Sequence, residues 1–269
     1  MAFLKFGNYS KEGPGVSKNE KPKKSFFYFF DILKEKYWNI IKLILLYILC
    51  CIPVVTIGCA TGGLIYVLRN YVTRQPVMMK SDFFGAFKRN WKQLTGIFLI
   101  NVVFYAIAGF SLYMYYNAFS NTNGIIYFIG MVVVLSAIVV SLFMNFYINL
   151  MIVTFDFSFK KVIKNSFIFA GIGLIKNIIN ILILLLFATI FFILTIIHPI
   201  FSTLFLILVS MPICFLAIVF NTFPIIRKHV IDPYYAEKGI ENPLDKYNNN
   251  NDKERIFSDT IKKEDDIKK

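Results

Sequence analysis

The chain has 269 residues, 57% hydrophobic and 17% charged, with a mean hydropathy of +0.61 and a formal net charge of +13. A soluble domain averages about 45–50% apolar and about 25% charged residues, so a soluble globular protein is excluded. The charges are also segregated: residues 43–68, 93–155 and 177–226 carry none, and all 45 fall in the other 130 positions.

Residues 1–25 contain no apolar run ahead of a small-residue cleavage site, so no removable signal is expected. They read as a basic, disordered cytoplasmic segment, and 26–229 as the membrane domain. The first uncharged stretch, between Lys42 and Arg69, has 26 residues, too few for two full crossings at about 20 residues each. Extended to Tyr37 and Tyr71, with Lys42 and Arg69 snorkelling, it makes two short arms meeting in 53–63. There Pro53 lacks an N–H, while Gly58, Gly62 and Gly63 permit close approaches. Thr56 and Thr61 can satisfy freed backbone groups, and Thr61 suits the N-cap of the returning arm. The competing reading is a proline-kinked single helix with a small-residue contact face. Cys50, Cys51 and Cys59 have neither C-x-x-C spacing nor a nearby histidine. They read as small apolar residues, and no metal or other cofactor is expected.

Next comes SDFFGAFKRNWKQ (81–93), a basic amphipathic helix with Phe84, Phe87 and Trp91 on one face. Phe84, Phe87, Lys88, Arg89, Asn90 and Trp91 are the candidate docking residues for a cytoplasmic partner; simple rest on the bilayer is the blander reading. DFSFKKVIKNSF (156–167) repeats the design.

The 63- and 50-residue stretches each hold two crossings: helices near 94–116 and 125–155, then near 177–197 and 199–222. Asn101, Ser141, Asn145 and Asn149 form a candidate polar face, with the last three recurring every four positions. They serve either as interhelical hydrogen bonds or as a path for an uncharged solute. No Asp or Glu lies in any span, so the usual parts of a proton-coupled transporter are missing. Residues 230–269, with NNNND and alternating charges, read as a mostly disordered tail.

Basic residues exceed acidic ones by five in 1–42, five in 69–92 and three in 156–176, and Arg227–Lys228 follow the last span. Lys and Arg mark cytoplasmic loops, so both termini are expected in the cytoplasm. The positive charge serves topology, and no nucleic-acid partner is expected. No phosphate-binding, zinc-protease or nucleophile-elbow motif occurs, so the chain does not read as an enzyme.

The stretch CIPVVTIGCATGGLIYVLRN resembles the signature of the YesL-like bacterial membrane proteins, a family of unknown function. Pro53, Thr56, Gly58, Thr61 and Tyr66 stand in its matching places, Cys59 replaces a second proline, and Gly62-Gly63 replace an Ala pair. FFGAFKRNWKQ and TFDFSFKKVIKNS extend the likeness, which runs from about Tyr37 to His229. The resemblance implies a multi-pass protein of the bacterial cell membrane, often encoded beside carbohydrate-uptake genes, with no catalytic residues to carry over. The expected class is therefore all-α: a multi-pass helical bundle of one short hairpin and four longer transmembrane helices. The expected role is accessory or regulatory in carbohydrate uptake or utilisation, with the bilayer and membrane or cytoplasmic transporter components as partners. A permease for a small uncharged solute and a structural membrane scaffold are the alternatives. Oligomeric state is not legible.

Overall fold

The computed structural model describes residues 25–240 and 242–244. Expectations for the N-terminal segment and most of the charged tail lie outside the described residues. Those described form helices and no strand: α1 (Ser25–Cys51), α2 (Ile57–Val72), α3 (Met79–Arg89), α4 (Trp91–Thr122), α5 (Ile125–Thr154), α6 (Phe159–Ile172), α7 (Leu174–Ile197) and a long rod, α8 (Pro199–Lys238). Helices α4, α5, α7 and α8 are long and apolar enough to cross a membrane. The fold is an all-α, multi-pass bundle.

Helices α1 and α2 form the short hairpin. Tyr28 Oη donates to the Val72 carbonyl at 2.8 Å, and Tyr47 Oη lies 3.5 Å from Thr61 Oγ1, so the start of α1 meets the end of α2. The turn is tighter than expected. Pro53 ends α1, and a 3-10 turn over Val54–Thr56 leads directly into α2 at Ile57. Thr61 therefore lies inside α2 and is not its N-cap; its hydroxyl donates back to the Ile57 carbonyl at 2.8 Å. Thr56 supplies the turn's polar contacts, with Oγ1 2.5 Å from the Cys50 carbonyl and 2.6 Å from that of Pro53. Such satisfaction is needed at membrane depth, where water is absent.

Arg69 in α2 reaches Val153 and Thr154 at the end of α5. From that level α2 runs back about 18 Å to Ile57, whereas α5 runs back about 42 Å to Ile125, at 1.5 Å per residue. The hairpin tip therefore stops well short of the far end of α5.

Helix α2 is the axis of the bundle. It touches α1, α3, α4, α5 and α8 and is buried around most of its circumference, as expected for a helix apolar on all sides. Its glycines make this possible. A Cβ on Gly58 would lie 2.5 Å from the Leu94 carbonyl oxygen and 2.9 Å from Phe98 Cβ; one on Gly62 would overlap the Leu94 side chain. One turn apart on one face, this pair is a G-x-x-x-G close-packing contact.

Burial is uneven along the spans. The end bearing Arg69, Lys88, Arg89 and Lys160 (here the basic end) holds the core. All buried residues of α5 lie from Phe143 onward, those of α7 are Asn177 and Asn180, and those of α4 are Leu94, Ile97 and Ala108. Beyond that core, α4–α5 and α7–α8 project as two hairpins exposing residues such as Phe110, Val133, Leu185 and Phe192. Ser111, Ser136, Thr189 and Thr195 there donate to carbonyls three or four residues back, which suits them to lipid.

The last span differs from expectation in length. Pro212 cannot donate to the Leu208 carbonyl, the helix widens over Leu206–Ser210, and Tyr37 Oη donates to that carbonyl at 2.8 Å. A second wide turn, Arg227–Ile231, carries α8 past position 229 to Lys238. Gly239 then stops it in the left-handed region, at φ 64°.

Candidate functional site

The polar side chains within the spans largely meet one another. Asn101 Nδ2 donates to Asn145 Oδ1 at 2.7 Å, Asn145 Nδ2 donates to Tyr105 Oη at 3.1 Å, and Tyr105 Oη lies 3.2 Å from Ser141 Oγ. These bonds tie α4 to α5. Three of the four residues expected on a polar face are thus brought together, while Asn149 is half-buried and outside the network. A second set joins α5, α7 and α8: Tyr147 Oη donates to Asn177 Oδ1 at 3.0 Å, and Asn221 Nδ2 to Asn180 Oδ1 at 2.7 Å.

At the basic end, the last carbonyls of α5, and that of Phe157 just beyond it, lack helical donors, and α2, α3, Asn90 and α4 supply them. Arg69 Nη1 donates to the Val153 carbonyl at 3.4 Å and Thr154 Oγ1 at 3.2 Å; Arg89 Nη2 donates to the same Val153 carbonyl at 3.3 Å. Asn90 Nδ2 donates to the Ile152 carbonyl and Gln93 Nε2 to that of Phe157, both at 3.1 Å. Tyr66 lies between the two cations, its ring 4.5 Å from the Arg69 guanidinium carbon and 5.7 Å from that of Arg89.

Sharing one carbonyl places the two guanidinium nitrogens within about 7 Å of each other. At an effective dielectric of about 20, unit charges so placed repel by roughly 2 kcal/mol. The C-termini of α2 and α5, each equivalent to about half a negative charge, offset this in part. Neither arginine pairs with a carboxylate among the described residues. The site retains positive charge.

Beside Arg69 opens a cavity of about 480 Å³, walled by Gln75 and Thr154 on one side and by Tyr234, Tyr235 and Asn242 on the other. Asn242 holds its side through Nδ2 to Asp232 Oδ1 at 3.0 Å. The sequence presents Arg69 only as a snorkelling charge at a membrane edge. The only hint of more is its place, with Asn70, at the end of the signature stretch. Tyr234, Tyr235 and Asn242 fall in the stretch that composition assigns to the tail, where nothing signals them.

The docking candidates divide. In α3 it is Phe83 and Ala86 that are buried, Phe83 against Gly63 of α2, which turns Phe84 outward and leaves Phe87 half-buried. Phe84, Lys88 and Trp91 are exposed, whereas Arg89 and Asn90 are engaged with α5. Of the signature residues, Thr56 serves the turn, Gly58 the α2–α4 contact, Thr61 the α1–α2 contact and Tyr66 the arginine pair, while Pro53 stays exposed at the tip. The four cysteines are free thiols, and among the described residues no three His, Cys, Asp or Glu cluster as metal ligands would.

Helices, short hairpin and glycine-packed axis together define a multi-pass membrane protein. Residues 40–112 match the family model described as "Protein of unknown function, DUF624", which takes in the hairpin from Ile40, all of α3 and α4 as far as Leu112. No curated protein and no solved structure matches the chain.

Proposed function

We propose that this chain is a non-enzymatic accessory or regulatory protein of YesL-like type, resident in the bacterial cell membrane and acting with carbohydrate-uptake components. On this reading the basic end faces the cytoplasm, in keeping with the bias of Lys and Arg. The observation that carries the proposal is the division of the molecule. Asn101, Asn145, Asn177, Asn180 and Asn221 of the spans are engaged in bonds between helices, and the basic end presents a cavity and exposed Phe84, Lys88 and Trp91. A docking protein needs such a face; a permease needs a polar route.

Replacing Phe84 and Trp91 with Ala and Lys88 with Glu leaves the core untouched. The expected result is loss of co-purifying transporter components from native membranes, with insertion and thermal stability unchanged. Undiminished co-purification would discard the proposal. A permease is the second reading, favoured by a groove of about 420 Å³ where Asn101, Ser136 and Ser141 line a wall between α4 and α5. Sugar flux into liposomes containing the purified chain supports that reading over the first.

A further inference from the structure

We infer that the cavity beside Arg69 is a binding site for a phosphate-bearing anion, either the headgroup of an anionic phospholipid or a soluble phosphate ester. Four features combine. The first is positive charge: Arg69 lines the cavity, Arg89 lies outside its lining but converges with Arg69 on one carbonyl, and neither pairs with a carboxylate among the described residues. The second is remaining donor capacity. A guanidinium has five N–H groups. Arg69 directs Nε and one Nη2 hydrogen to Asn70 Oδ1 and its Nη1 hydrogens to Val153 and Thr154, leaving one Nη2 hydrogen.

Third, the walls offer further unengaged polar groups. The side-chain amide of Gln75 and the hydroxyl of Tyr235 have no hydrogen-bond partner among the described residues. Fourth, the geometry fits the class. The remaining Nη2 hydrogen of a guanidinium fixed by Asn70, Val153 and Thr154 can make one charge-assisted bond to a phosphate oxygen, and basic pockets between membrane helices suit lipid phosphates. About 480 Å³ is ample for a headgroup or a small phosphate ester. Besides the C-termini of α2 and α5, one lining side chain opposes an anion: Asp156, exposed on the cavity wall and unpaired with Arg69. It supplies a control, because its replacement leaves the α5 cap intact.

The test is thermal stabilisation of the full chain in detergent, titrated with glycerol 3-phosphate, with short-chain phosphatidylglycerol, and with glycerol plus sodium chloride at matched ionic strength. Stabilisation by the first alone assigns a soluble ester, and by the second alone a lipid headgroup; both together support the shared chemistry. Asp156→Asn is expected to lower the half-saturating concentration about threefold by removing a like charge. Arg69→Lys, which keeps the charge but loses the guanidinium held in place by Asn70, Val153 and Thr154, is expected to raise it about tenfold. Arg69→Lys is read where the variant stays monodisperse; Asp156→Asn carries the test otherwise. No stabilisation beyond the glycerol and chloride control, or an unchanged half-saturating concentration in Asp156→Asn, overturns the inference.

Discussion

The two ends of this molecule are built on different principles. At the basic end, five helices pack on α2, glycines let backbones touch, and a set of charged and amide side chains completes the end of α5. Toward the far end, α4–α5 and α7–α8 run as paired helices whose large apolar side chains face outward. The first region is specified by shape and hydrogen bonding. The second requires only apolar surface and satisfied hydroxyls, because lipid tails are as apolar as leucine and supply no drive to pack helices.

The contrast makes the same substitution unequal at its two ends. Gly58→Leu drives a side chain into the Leu94 backbone and Phe98, whereas nothing lies within 4 Å of a Cβ on Gly109 in the far half of α4. Overpacking costs about 1–3 kcal/mol even where side chains can adjust, and here backbone blocks the way. Gly58→Leu is expected to abolish a monodisperse peak in detergent, while Gly109→Leu stays within about 0.5 kcal/mol of the parent in thermal melts. Equal tolerance at both sites would dissolve the comparison.

Tyr37→Phe comes next. It removes the donor to the Leu208 carbonyl, which Pro212 cannot replace, and should cost about 1–2 kcal/mol. The double change with Pro212→Ala should recover most of that in the same melts, since a backbone N–H returns. Asn145→Leu should lose about 0.6 kcal/mol, the average for membrane polar pairs. Thr189→Val, whose hydroxyl serves only its own helix, should lose nothing measurable. The mildest probe leaves the fold intact: in detergent, N-ethylmaleimide should label half-buried Cys50 and Cys51 well before buried Cys59 and Cys214. Early labelling of Cys59, whose Sγ lies 3.1 Å from Thr95 Oγ1, would show that the α2–α4 contact opens.

Much of the architecture is legible in the chain. Four long spans follow from charge-free stretches, and the hairpin follows from a stretch too short for two crossings interrupted by Pro53. The partners of individual residues are less so. Phe83 and Phe84 are chemically identical neighbours, and the choice of which is buried rests on how closely Gly63 admits α3. Thr56 and Thr61 are equally plausible caps by type, yet only Thr56 falls where α1 ends. The Asn101–Asn145 pair was legible as polar positions on adjoining spans, but not as a bonded pair. The cavity was illegible, because it joins α2, the end of α5 and residues beyond 230 that are distant in sequence.

Membrane residence and helix number are therefore properties of the linear chain, because the cost of placing charge in hydrocarbon acts on each segment by itself. The core at one end, the shared carbonyl of Arg69 and Arg89 and the cavity beside it belong to the folded bundle. Each depends on distances between side chains far apart in sequence, and those distances are set by the close packing of α2.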